Sequence, residues 1–313
     1  MSKTAKPSGS QPSIVFFGSG PVAAKSLELL ARDFDIEAVV TKPKPDHHKE
    51  AFPVIEAAQK LKLTIHTVSN KAGLSELIAK KPFKSTLGVL IDFGIIVAQD
   101  TIDYFPLGII NSHFSVLPEW RGADPITFSI LSGQKSTGVS LMLLVEKMDE
   151  GPLLSFGEFE LPAKITTPQL TEHLINFSNQ MLINEIPRYI AGVKPSPQSI
   201  TGRKVSYSRK LTKQDGVIDW NKSAEAIERE IRAFIDWPKS RTTIAGKDII
   251  VTDAYSVSTV SHSTRPGTIE AVPESGLIIV ATGDGSLCIN KLKPAGKNEM
   301  TSKEFITGHK NLL

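Results

Sequence analysis

Short apolar runs alternate with helical patterns from residue 14 to residue 190, and this alternation constrains the chain more than any other feature. Residues 14–17, Ile-Val-Phe-Phe, form an apolar run closed by Gly18, as a strand buried on both faces does. Residues 21–30 carry helical spacing, with Ala24, Leu27 and Leu30 on one side. The pattern then predicts strands at 36–41, 63–66, 87–91 and 108–111, with helices at 52–61 and 74–80 between them. Such βαβ repetition folds as a parallel sheet with helices on both faces, a Rossmann-like doubly wound α/β layer. Two further strands are expected at 139–145 and 153–161, then a long helix at 167–190.

The texture changes after Ala191. Gly192, Pro195 and Pro197 have the composition of a linker, which sets it at 192–206 between an α/β domain at 13–191 and a second domain at 207–313. The second domain opens with one amphipathic helix at 223–234, whose Ile227, Ile231 and Phe234 share a face and whose N-cap is Ser223. Short strands follow at 241–244, 248–254, 267–271, 277–281 and 286–292, punctuated by Gly246, Pro266, Gly276, Gly283 and Gly285. Five short strands with tight turns imply a small β-barrel of the OB-like kind.

Composition narrows the function classes. With 40% hydrophobic and 22% charged residues in 313, the chain can bury two ordinary cores. Its single cysteine, Cys288, has no partner for an internal disulfide and lies in an alternating apolar stretch, where a buried structural thiol is expected. No apolar run approaches the ~18 residues of a membrane span. Residues 1–12 are polar, lack the apolar centre of a signal peptide and read as a disordered tail, so a cytoplasmic protein is expected. From Ile200 onward there are 17 Lys+Arg against 13 Asp+Glu, net +4, whereas the rest has 19 against 20, net −1. That asymmetry is compatible with nucleic-acid contact by the C-terminal part and equally with a solvated surface.

Three places could carry chemistry. The turn Gly18-Ser19-Gly20 before Pro21 can direct backbone N–H groups at an anion, or simply join strand to helix. It is not a dinucleotide fingerprint, since Ala23 and the absence of a placed acidic residue break that pattern. Asn111 and His113, two residues apart at the end of a strand, point the same way. An amide donor beside an imidazole suits a reaction through an oxyanion, although a hydrogen-bonded loop end would look the same. Asp149, in Met148-Asp149-Glu150-Gly151, is either a turn-former or a carboxylate partner for His113. The pair His47-His48 with Glu50 has no third ligand nearby and reads as a solvated loop.

Taken in order, a strand with its Gly turn, N-x-H-x-S-x-L-P at 111–118 with R-G-A-x-P at 121–125, and M-D-x-G at 148–151 resemble the folate-dependent formyltransferases. The C-terminal segments Tyr207-Ser208-Arg209-Lys210-Leu211, Ile218-Asp219-Trp220, Ile231 to Phe234 with Trp237-Pro238, and Leu292 to Lys297 with Met300 resemble the members that formylate methionyl-tRNA. The resemblance implies 10-formyltetrahydrofolate as formyl donor, initiator methionyl-tRNA as acceptor and partner, no metal, no membrane and a monomer. It implies Asn111, His113 and Asp149 as the catalytic set. Phe93, Gly94, Ile95, Ile96 and Val97, together with Ser115, Val116, Leu117 and Pro118, would hold the folate. Gly18, Ser19, Gly20, Lys42, Lys44, Arg121, Gly122, Arg209 and Lys210 are candidates for contact with the aminoacyl-tRNA. The chain departs from the family at Asp92-Phe93-Gly94, where Ala-Tyr-Gly is usual, and at 41–52, where the usual loop is longer and more basic. A sugar-nucleotide formyltransferase, a formyl-folate hydrolase and a non-catalytic tRNA-binding protein are the alternative readings.

Overall fold

The computed structural model describes residues 11–44, 52–258, 265–272 and 276–309. The expected tail, apart from its last two residues, and the His47-His48 pair lie outside them. Two compact units emerge, one built from the chain up to Ala123 with Gly138–Phe159 and Glu172–Tyr207, the other from Asp124–Thr137, Glu160–Thr171 and Ser208 onward.

The first unit follows the alternation closely. Its elements are β1 (Ser13–Phe17), α1 (Pro21–Leu30), β2 (Asp35–Thr41), α2 (Pro53–Lys60), β3 (Ile65–Thr67), α3 (Lys71–Ala79), β4 (Gly88–Leu90), α4 (Gln99–Tyr104) and β5 (Ile109–His113). The two-residue β6 (Arg121–Gly122) precedes β7 (Ser136–Leu143) and β8 (Leu153–Glu160), and α6 (Thr167–Ile190) follows; α5 (Pro125–Leu131), between β6 and β7 in the chain, belongs to the second unit. The sheet runs β3-β2-β1-β4-β5-β7-β8. Strand order reverses between β1 and β4, so the crevice at their carboxyl ends is where an open α/β sheet binds ligands. Pro21 starts α1 at a position where a missing N–H costs nothing. The Asn70 side chain accepts from Gly73 N–H to start α3. Phe17, Phe83, Phe93, Phe105, Val15 and Val40 belong to the buried core on one side of the sheet.

Three features depart from the sequence expectation. The sheet is mixed, because β7 runs antiparallel to β5, with Asn111 opposite Met142 and His113 opposite Ser140. Antiparallel edge strands are a common close to a parallel sheet, and here glycine permits the tight approach: a Cβ on Gly138 would stand 1.9 Å from the Gly157 carbonyl oxygen. The strand expected at 108–111 extends to His113, which puts both N-x-H residues in regular strand geometry. Residues 192–206, expected as a linker, pack within the first unit. Leu153 and Ser196 exchange N–H···O bonds of 2.7 Å, and Gln198–Thr201 form a turn of 3₁₀ helix. The prolines there mark irregular backbone, which is not the same as unpacked backbone.

The boundary at 207/208 falls within β9 (Tyr207–Ser208), and the second unit continues with α7 (Ala224–Ala233), β10 (Ser240–Ile244), β11 (Lys247–Val257), β12 (Ile269–Val272), β13 (Leu277–Ala281), β14 (Ser286–Pro294), β15 (Met300–Thr301) and α8 (Ser302–Gly308). The antiparallel sheet has the order β10-β11-β14-β13-β12, with β15 added to β14, a strand set fit for a small barrel. Ile227 and Ile231 of α7 join Ile244, Ile249, Ile289 and Phe305 in its core. Ser223 caps α7 as expected, accepting from Ala226 N–H at 3.2 Å. Cys288 is buried on β14, and burial pushes its thiol up. The short α5 and α8 escaped the periodicity, yet both carry start signals: Asp124 before Pro125, and the capping box of Thr301 with Glu304.

Candidate active site

β5 ends at the sheet edge on which ligands bind, and its alternation sorts three polar residues to two faces. Ser112 points one way and meets the Ser178 hydroxyl of α6 at 2.6 Å. Asn111 and His113 point the other way, toward the loop between β7 and β8. Asp149 lies in that loop at φ +53°, a left-handed conformation that aspartate tolerates better than most residues. Its Oδ1 accepts from Asn111 Nδ2 at 3.4 Å and stands 3.8 Å from His113 Nδ1. All three side chains are buried, at 8%, 6% and 8% exposure for Asn111, His113 and Asp149.

The polar accounting differs from the sequence expectation in one respect. A carboxylate partner for His113 would itself fix the ring's tautomer. Instead His113 Nε2 lies 2.9 Å from the Trp120 carbonyl oxygen. A carbonyl only accepts, so Nε2 carries the hydrogen and the neutral ring keeps its lone pair on Nδ1, toward Asp149. The Asp149 carboxylate is served by neutral donors, Asn111 Nδ2 on one oxygen and the Gly122 N–H at 2.7 Å on the other. Two backbone groups of one short segment, Trp120 C=O and Gly122 N–H, thus orient both members of the His–Asp pair. Sequence reasoning singled out Gly122 for substrate contact and missed Trp120 altogether, since backbone groups leave no signature in a sequence.

The remaining candidates separate into groups. Ser115, Val116, Leu117 and Pro118 are all buried. Ser115 donates its hydroxyl to Glu119 O at 2.5 Å, while Ser140 Oγ bridges Ser115 O at 2.8 Å and Leu117 N–H at 2.9 Å. Leu117 packs against Met142 and Leu153. These contacts hold the loop and engage several of its own backbone groups, among them Ser115 O and Leu117 N–H. In the segment after β4, Phe93 is core, edge-on to Phe17 at 5.7 Å, and Val97 is core as well. Ile95 is half-buried against them, Ile96 is 66% exposed, and Gly94 takes φ +63°.

The Gly18 turn is held against this segment. Ser19 N–H donates to Asp92 O at 3.0 Å, and the Ser19 hydroxyl donates to Phe93 O. A Cβ on Gly20 would fall 2.0 Å from Asp92 Oδ2. The protein's own carboxylate therefore occupies the space over Gly20 at the start of α1, where the sequence left room for an anion. Lys42 lies beside Gly94, its Nζ 2.7 Å from where a Cβ would be, and Lys44 is exposed. Arg121 bonds Glu150 at 3.2 Å and Gln198 at 2.7 Å. Arg209 and Lys210 belong to the other unit. There Arg209 pairs with both oxygens of Asp215 and holds that exposed carboxyl well below the usual range.

An amide and an imidazole backed by a carboxylate, at the binding edge of an α/β sheet, equip an enzyme for group transfer through an oxyanion. Residues 14–186 match the family model described as formyl transferase, and 210–310 match that of the formyl transferase C-terminal domain. The chain belongs to the formyl transferase family. It is 34% identical over 305 residues to the methionyl-tRNA formyltransferase of Roseiflexus castenholzii, covering 94% of this chain and 95% of that one. It is 31% identical to the Bacillus subtilis protein of the same name, with 94% of each covered. In fold it matches an N-formyltransferase from Helicobacter canadensis, solved with folinic acid and dTDP-3-aminofucose, at TM-score 0.67 and 18% identity, covering 89% of this chain and 98% of that one. HypX from Aquifex aeolicus, solved with tetrahydrofolic acid, matches at TM-score 0.63 and 14% identity over 95% of this chain and 47% of its own. Among the described residues no helix is long and apolar enough to cross a membrane, and no group of three or more His, Cys, Asp or Glu could hold a metal ion.

Proposed function

We propose that this enzyme transfers the formyl group of 10-formyltetrahydrofolate to the α-amine of initiator methionyl-tRNA, as a cytoplasmic monomer and without a metal. What supports the chemistry is the convergence of Asn111 Nδ2 and His113 Nδ1 on Asp149 Oδ1, at 3.4 and 3.8 Å. What supports the acceptor is likeness over nearly the full length of proteins named for it. Every group in the site comes from one chain, so no second copy is needed to complete it.

The folate contributes the formyl carbon and the nitrogen that leaves it. Residues 93–97 suit its flat ring: Phe93 and Val97 anchor the segment in the core, Ile95 and Ile96 offer apolar surface, and Gly94 leaves backbone uncovered beside Lys42. Ser115 to Pro118 would form the facing wall. As the amine attacks the formyl carbon, negative charge grows on the formyl oxygen. Asn111 has a second amide hydrogen to give it, since only one is engaged by Asp149. A protonated His113 adds a positive charge beside that oxygen, with Asp149 as its counter-charge, and a water relays the amine proton to the departing nitrogen. The C-terminal part from Ile200, net +4, would hold the tRNA through phosphate contacts, with Arg209 and Lys210 among them, an affinity that falls with salt. Lys42, Lys44 and Arg121 would serve the acceptor end.

The deciding experiment is formyl transfer from 10-formyltetrahydrofolate to charged initiator and elongator methionyl-tRNA, alongside an amino-sugar nucleotide and a sample with no acceptor. Formylmethionyl-tRNA from the initiator species is the expected product. Formylation of the sugar alone, or formate release without an acceptor, would replace this reading by one of its rivals.

A further inference from the structure

We infer that Gln198 is a positioning residue for the Asp149 loop, a role that rests on the formyl-transfer reading above. Gln198 lies beyond α6, in the segment whose composition resembles a linker, about fifty residues from the loop it serves. Its side chain is 7% exposed, and both ends of its amide are engaged. Nε2 donates to Asp149 O at 2.7 Å and to Gly151 O at 2.9 Å. Oε1 accepts from Arg121 Nη2 at 2.7 Å, and Arg121 Nη1 reaches Glu150 Oε1 at 3.2 Å.

The need for such a clamp follows from the backbone. Asp149 is held at φ +53°, and a non-glycine residue keeps that conformation only where its surroundings over-determine it. Gly151 belongs to the same constraint, since a Cβ there would stand 1.7 Å from the Leu143 carbonyl oxygen. Two carbonyls of this strained turn point at one amide nitrogen. A glutamate in place of Gln198 would put a carboxylate oxygen against them and lose both bonds, while still accepting from Arg121.

The segment grips the other side of the site as well. Thr201 Oγ1 donates to Leu117 O at 2.8 Å, and Ser206 Oγ accepts from Trp120 N–H at 3.0 Å. Ser206 N–H donates to Pro118 O at 3.2 Å and Ser206 O accepts from Arg121 N–H at 3.0 Å. Trp120 O is in turn the acceptor for His113 Nε2. One stretch of chain therefore holds both the loop that carries Asp149 and the loop that orients His113, and Gln198 is the side chain by which it bonds the former.

The test is steady-state formylation by Q198A, Q198E, D149N and the double variant Q198A/D149N, with thermal melting of each. If Gln198 acts through Asp149, Q198A and Q198E both lose roughly tenfold to hundredfold in kcat, with KM for the folate donor within about twofold of wild type. The double variant then turns over no more slowly than D149N, because effects of residues that act as a unit do not add. A merely structural glutamine predicts something else: losses that multiply in the double variant, or kcat unchanged in Q198E. Either result overturns the inference. Should Q198A melt below the assay temperature, Q198E with D149N/Q198E carries the same comparison. Near-normal turnover in D149N would remove the Asp149 reading itself, a failure distinct from that of Gln198.

Discussion

Among the described residues each unit buries one carboxylate deeply, and the two are treated in opposite ways. Glu228, on α7 in the second unit, is 5% exposed and bonded by Arg232 at 2.8 and 3.1 Å and by Lys164 at 3.0 Å. Two cations cancel its charge, and its oxygens have nothing left to do. Asp149 in the first unit is equally buried, but its hydrogen-bond donors are a backbone N–H and a side-chain amide, both neutral. A buried charge with matched counter-charges is neutralised in place, whereas one with only neutral donors can still answer a positive charge that appears beside it.

The contrast can be broken most forcefully at the site. Asn111→Ala or His113→Ala should lower formylation by roughly 10²–10³ while leaving the melting temperature near that of wild type; turnover close to normal in either would end the oxyanion account. Asp149→Asn and Glu228→Gln then set the two carboxylates side by side. The first should cost activity far more than stability. The second should leave kcat alone and destabilise the second unit by roughly 3 kcal/mol, because it strands Arg232 in a buried setting. Chemical denaturation and kinetics on both variants would show whether the two effects really cross.

A smaller effect probes the wall of the site. Gly20→Ala drives a methyl into the Asp92 carboxylate, so it should shift the segment at 92–97. The expected signature is a raised KM for the folate donor, with only a modest loss of stability of about 1–3 kcal/mol. An unchanged KM would separate that segment from folate binding. The smallest effect is expected at the exposed Arg209–Asp215 pair. Arg209 lowers the Asp215 carboxyl pKa, so this contribution is full above the unfolded value of ~3.9 and fades as pH falls through the folded one. Melting curves of Asp215→Asn should lie below wild type at neutral pH and converge with it in acid.

The sequence alone determined the layer architecture. Apolar runs of period two and stripes of period 3.6 are local patterns, and β1 through β5, α6, α7 and the antiparallel strands fell where those patterns put them. It also determined which residue types could act, since Asn111 and His113 two apart on a strand must share a face. Tertiary structure decided the rest. The antiparallel run of β7, the packing of residues 192–206 into the first unit, and the Asp92 carboxylate over Gly20 depend on approaches between segments far apart in the chain. So does the orientation of His113 and Asp149 by Trp120 O, Gly122 N–H and Gln198. Backbone carbonyls and N–H groups are the same at every residue, and periodicity carries no information about them. Only the folded chain fixes which of them face an imidazole or a carboxylate.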